Sequence, residues 1–176
     1  MRIVIATWGS HGDLHPALGL ATGLRDRGHD VTVATMPVFR SDVECEGLTF
    51  HAVRPDVDPH DRGLIARMMD ARRGTEVIVR ELLMSAFGDA AADLRPAIAG
   101  ADLVISHPVT FAAPILAEHL GKPWASIVLA PMSFFSAHDV PVLPPAPWLR
   151  PLAARSPWLS RGIVSVARRA TRHWMT

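Results

Sequence analysis

A chain of 176 residues is long enough for one ordinary domain and buries roughly 70% of the surface its unfolded form exposes. Its composition is globular, 49% hydrophobic and 20% charged, and a formal charge of +1 offers no overall basic excess for nucleic acid. The single cysteine, Cys45, excludes an intramolecular disulfide and a cysteine-based zinc site, and makes a reducing, cytoplasmic setting the simplest expectation.

The first expected element is RIVIATW, Arg2 to Trp8, a nearly continuous apolar run that suits a strand buried on both faces of a parallel sheet. It is too short for a signal sequence, and Gly9 and Asp13 interrupt it. No segment reaches the ~20 apolar residues of a membrane span. After a glycine turn, Pro16 suits a first helical turn, and Ala17, Leu18, Leu20, Ala21 and Leu24 repeat at helical spacing until Gly28. A strand over Asp30–Met36 follows, then a helix around PVFRSDVECE stopped by Gly47, then a strand over Leu48–Val53. This β-α-β-α-β order predicts a parallel sheet with right-handed crossovers. RPDVDPHDRG reads as a loop, and two helices split near Gly74 are expected between Leu64 and Ala99. Asp102–Ser106 is a fourth strand, FAAPILAEHLG a helix and Trp124–Leu129 a fifth strand. Prolines dominate from Pro131 to Pro157, and SPWLSRGIVSVARRATRHW is a terminal helix with a basic face. The expected fold is α/β: one Rossmann-like, doubly wound domain over residues 1–176.

The junction WGSHGDLHPALGL carries the chemistry. A glycine turn between strand and helix can bind phosphate through free N–H groups. Here G-S-H-G-D matches neither GxGxxG nor GxxxxGK[ST], and Asp13 places negative charge where a phosphate would sit. The structural reading is that Asp13 caps the helix; His11 and His15 are then solvated turn residues. The functional reading comes from topology. With strand order 3-2-1-4-5, the first and fourth strands flank the switch point where doubly wound sheets bind ligands. Asp13 follows strand one, and His107 ends strand four in ISHPVT, so the two face one crevice as an acid–base pair. His29 and Asp30 lie at the opposite end of the sheet and are structural. No carboxylate or histidine cluster has metal-site spacing, so no metal is expected. A dinucleotide-dependent oxidoreductase would need GxGxxG after strand one and an acidic residue ending strand two; the chain offers GSHGD and ATMP.

The segment GSHGDLHPALGLATGLRDRGHDVTVAT resembles the opening of two-domain, GT-B glycosyltransferases. The likeness is to bacterial enzymes that glycosylate macrolides, glycopeptides, sterols and lipids, in the family 28 N-terminal group of the UDP-glycosyltransferase superfamily. There, G-[ST]-x-G-D-x-x-P precedes a long helix and RGH-x-V-T. PVFRSDVECEGLTF and DLVISHPVTFAAPILAEHLGKPWASIVLAPMSFF are similar to the same N-terminal domain, so the resemblance covers most of the chain. In many relatives the position of Asp13 holds a histidine that deprotonates the acceptor, assisted by an aspartate after strand four. This sequence exchanges the two types, Asp13 in the first place and His107 in the second, and leaves open which of them takes the proton.

The resemblance implies an inverting hexosyltransferase that moves sugar from a UDP- or dTDP-sugar to a hydroxyl, with no further cofactor and no obligatory metal. The donor would be held mainly by a second Rossmann-like domain. On that expectation residues 1–176 are a truncated acceptor-binding portion with the C-terminal donor domain absent. The alternative is a non-catalytic fragment or auxiliary subunit that binds a hydrophobic ligand and is inactive without a donor domain. The expected acceptor is a bulky hydrophobic alcohol or phenol. His11 and Gly12 would border it, with Met132, Phe134, Phe135, His138 and Trp148 of the proline-rich stretch on one wall and Met84 on another. The basic terminal helix reads first as a solvated face and second as a peripheral contact with an anionic membrane.

Overall fold

The computed structural model describes residues 1–130 and 156–172. Five strands form one parallel sheet: β1 (Arg2–Ala6), β2 (Asp30–Thr35), β3 (Thr49–Ala52), β4 (Leu103–Ser106) and β5 (Trp124–Ser126), in the order β3-β2-β1-β4-β5. Helices α1 (His11–Arg25) and α2 (Arg40–Cys45, entered through a 3-10 turn at Pro37–Phe39) make the crossovers on one side of β1. Helices α5 (Phe87–Gly100) and α6 (Ala112–His119) serve the other. In chain order, β3 is followed by α3 (Arg62–Met68), a single turn α4 (Gly74–Glu76) and a π-helix (Val77–Met84) before α5; α7 (Pro157–Arg172) is the terminal helix.

Register follows from burial. Ile3 pairs with Val31 and Leu103, and Ala6 pairs with Ala34 and Ser106, which leaves β1 buried by neighbours on both edges. Strand alternation sends Val4, Ala6, Ala34 and Val104 to one face. There they pack with Leu94 and Ile98 of α5 and Ala112, Ala113, Leu116 and Ala117 of α6. The three alanines let α6 approach the sheet closely. Ile3, Ile5, Val31 and Val33 face the other way, toward the side covered by α1, whose buried stripe is Leu14, Ala17, Leu18 and Ala21. The crossovers leave β1 in opposite directions along the sheet, so handedness puts α1 and α6 on opposite faces.

Two compact units result, one of Met1–Asp61 with Ser85–Ile127 and one of Arg62–Met84 with Val128–Thr176. The sheet lies wholly in the first. One expected break becomes several: α3 ends at Met68, Gly74 opens α4, the π-helix follows, and Ser85–Ala86 separates it from α5. A Cβ at Gly74 would stand 2.1 Å from the Met68 carbonyl oxygen, so the chain turns there on a residue without a side chain. The strands are also shorter than their apolar runs. β1 stops at Ala6 because Thr7–Gly9 makes the turn, and β5 is an exposed edge of three residues.

Candidate functional site

The site is built where β1 and β4 end. Ser10 is the N-cap of α1, with Asp13 at the third helical position, which corrects the reading of Asp13 as the cap itself. The Ser10 hydroxyl accepts from the Gly12 N–H at 3.1 Å and donates to Asp13 Oδ2 at 3.1 Å; the Ser10 N–H donates to the same Oδ2 at 2.7 Å. This reciprocal box was legible as S-x-x-D and its signal was missed. The helix therefore begins a turn earlier than Pro16 suggested, and Pro16 is its sixth residue, deprived of a bond to the Gly12 carbonyl. Gly9 has φ +139°, and a Cβ there would lie 2.2 Å from Asp13 Oδ2. Only glycine leaves room for the carboxylate to fold back over the turn.

With Oδ2 occupied, Asp13 presents Oδ1, and it stands 3.5 Å from His107 Nε2. That is longer than a direct hydrogen bond and is a span that one hydroxyl oxygen, about 3 Å from both atoms, could bridge. His107 is anchored by its backbone. Its N–H donates to the Ala6 carbonyl at 2.8 Å, and its own carbonyl accepts from Thr110 N–H at 3.0 Å and Thr110 hydroxyl at 2.7 Å. The imidazole is only 12% exposed, against 30% for the Asp13 side chain. Burial lowers the His107 pKa from its ordinary 6.5, and the negative charge of Asp13 opposes that shift without cancelling it. The ring is accordingly neutral at neutral pH.

Its second nitrogen, Nδ1, is buried and has no hydrogen-bond partner among the described residues. A proton there would be an orphaned buried donor, which costs about 1–3 kcal/mol. The favoured tautomer keeps the proton on Nε2, facing Asp13 Oδ1.

The remaining sequence-nominated residues distribute unevenly. His11 and Gly12 sit in the first turn of α1, both exposed. The His11 ring meets the edge of Phe39 at 5.0 Å and His15 at 5.3 Å, with Nε2 3.9 Å from Asp42 Oδ1. Met84 ends the π-helix of the second unit. Met132, Phe134, Phe135, His138 and Trp148 lie outside the described residues. Two further supports were not foreseen. The indole N–H of buried Trp8 donates to the Pro55 carbonyl at 2.8 Å, tying the loop after β3 to the turn after β1. Arg54 in that loop grips Asp93 of α5 at 2.8 and 2.9 Å and Asp89 at 3.1 Å. Neither contact has a short-range sequence signature, since each joins residues more than thirty positions apart.

A doubly wound parallel sheet with its acidic and imidazole groups at the switch point is a Rossmann-like domain, and its solved neighbours make it the N-terminal half of a GT-B fold. One is the glycosyltransferase SnogD from Streptomyces nogalater, 27% identical, with a TM-score of 0.55 over 74% of this chain and 37% of that one. The glycosyltransferase family 28 N-terminal domain matches residues 3–131, and the chain belongs to that family. Among curated relatives, an uncharacterized glycosyltransferase of Mycobacterium tuberculosis is 26% identical over 96% of this chain and 43% of its own length. A sterol 3-beta-glucosyltransferase of Vanderwaltozyma polyspora is 30% identical over 67% of this chain and 10% of its own length. The chain thus spans less than half the length of these relatives.

Proposed function

We propose that this chain is the acceptor-binding half of an inverting glycosyltransferase in which Asp13 receives the acceptor's proton and His107 orients the exchange. The observation that carries the reading is the 3.5 Å approach of Asp13 Oδ1 and His107 Nε2 at the switch point of a family 28 domain. The acceptor oxygen attacks the anomeric carbon as the bond from that carbon to the nucleoside diphosphate breaks. The diphosphate leaves with the electron pair, the hydroxyl proton passes to Oδ1, and attack opposite the leaving group inverts the centre. His107, carrying its proton on Nε2, donates toward the carboxylate or the hydroxyl and fixes both.

The donor in this reading is a UDP- or dTDP-sugar held mainly by a second domain. The acceptor is a hydrophobic alcohol, consistent with the sterol named for one relative. In this reading His11 and Gly12, in the first turn of α1, border the acceptor. Assignment of Met84, Met132, Phe134, Phe135, His138 and Trp148 to acceptor contacts rests on their apolar or hydrogen-bonding chemistry alone.

The test is turnover of a nucleotide sugar and a sterol or macrolide alcohol with the donor-binding domain supplied. Asp13→Asn is expected to lower kcat by about 10²–10⁴-fold, the usual contribution of general-base catalysis. His107→Ala should fall comparably, and His107→Gln, which keeps an N–H donor, should lose less. Near-normal turnover in both Asp13→Asn and His107→Ala sinks the assignment.

A further inference from the structure

The charge of the chain is balanced only in sum. After Asp139 it carries six arginines and no acidic residue, so the preceding part holds twelve basic against seventeen acidic side chains and is net −5. Such asymmetry between segments points to a polyanionic or membrane partner for the basic one. Four of the six arginines fall on α7, which has no acidic residue at all.

Helix α7 is two-faced. Ser160 and Val164 are buried, and the Ser160 hydroxyl donates back to the Ser156 carbonyl at 3.3 Å. On the other side Trp158, Gly162, Val166 and Arg169 follow one another at spacings of four, four and three, so they line up along the helix. Trp158 is 81% exposed, Val166 68% and the adjacent Leu159 52%, with Arg161 and Arg169 exposed beside them. Leaving an indole, a leucine and a valine in water on one helix face is costly unless something covers them.

We propose that this face of α7 rests on an anionic lipid surface, with Trp158, Leu159 and Val166 entering the headgroup boundary and Arg161 and Arg169 pairing with lipid phosphates. The chemistry selects lipid over nucleic acid. Leu159 and Val166 offer neither stacking nor hydrogen bonds to bases, whereas an indole near one end of an arginine-rich, acid-free helix suits an interface. The helix lies on the surface and does not cross it: among the described residues no helix is long and apolar enough to span a membrane. The inference is independent of Asp13, His107 and the sugar-transfer reading.

The experiment is vesicle flotation of the full 176-residue chain, with phosphatidylcholine vesicles and with vesicles of about one-third phosphatidylglycerol. Binding should be confined to the anionic vesicles and weaken as salt is raised. Arg161→Glu and Arg169→Glu should each reduce affinity by about fivefold or more, as expected for one cation near a charged surface. Trp158→Ala should cost about tenfold, the loss for roughly 60 Å² of indole surface left in water. All three replace exposed side chains, and unchanged thermal melts establish that the variants fold. No flotation, equal binding to neutral and anionic vesicles, or unaltered binding by the variants overturns the proposal. So does capture by a single-stranded oligonucleotide in place of vesicles, or self-association that is abolished by Trp158→Ala.

Discussion

At the scale of single residues, the two carboxylate oxygens of Asp13 have separate tasks. Oδ2 is spent on the Ser10 N–H and hydroxyl, and Oδ1 is left for His107. The titration of His107 is therefore a report on this pair. Its pKa is lowered, first by burial, and Asp13 pulls it back up. An NMR titration should place His107 below the ordinary 6.5, and Asp13→Asn should lower it further by removing the opposing charge. A value above 6.5, or an upward move in Asp13→Asn, contradicts the geometry. The stability consequence has a definite sign. Below the ordinary imidazole pKa the unfolded chain takes up this proton before the folded one, so stability falls as the pH drops through about 6.5. Above that value His107 is neutral in both states and contributes no pH dependence. In His107→Gln, urea unfolding measured on both sides of that value should lose part of the acid-side decline.

At the scale of elements, the glycine turn and the first turn of α1 are one device. Ser10→Ala removes a cap and should cost about 1 kcal/mol in urea unfolding. It also strips Oδ2 of its hydroxyl donor while the residue-10 N–H remains, so it should shift the His107 titration, which the loss of an unrelated cap would leave alone. Gly9→Ala meets both a φ of +139° and the Asp13 carboxylate, and is expected to cost about 1–3 kcal/mol. If Ser10→Ala leaves both stability and the His107 titration unchanged, the Ser10 hydroxyl does not hold the carboxylate. The S-x-x-D signature encodes this device locally, although reading Asp13 alone as the cap passed over it. The π-helix at Val77–Met84 was not readable, because a window of apolar residues at mixed three- and four-residue spacing fits α and π periodicities alike.

At the scale of the whole molecule, the proposed function requires an apolar acceptor. Titration of the chain with a sterol or macrolide alcohol should change its tryptophan fluorescence, and free monosaccharides should not. Tight binding of a monosaccharide with no response to any apolar alcohol contradicts the acceptor assignment. Sheet order is what brings residues 13 and 107 to one edge. The order β3-β2-β1-β4-β5 makes β1 and β4 neighbours, and Asp13 and His107 each follow the end of one of them.

By itself the sequence determined the α/β class and the five strands, while their order, β3-β2-β1-β4-β5, entered as a condition that the structure met. Apolar runs bounded by glycine, alternating with helical periodicity, leave a right-handed crossover topology few other choices. It also nominated Asp13 and His107, since both follow strands whose ends can be counted from the pattern. Only the tertiary structure decided which oxygen of Asp13 is free and which nitrogen of His107 faces it. The same holds for the Trp8–Pro55 and Arg54–Asp93 contacts behind the site. Those outcomes depend on side-chain burial and on partners distant along the chain. Hydrophobic periodicity records which face of an element is buried, and it is silent about where a polar atom finds its hydrogen bond.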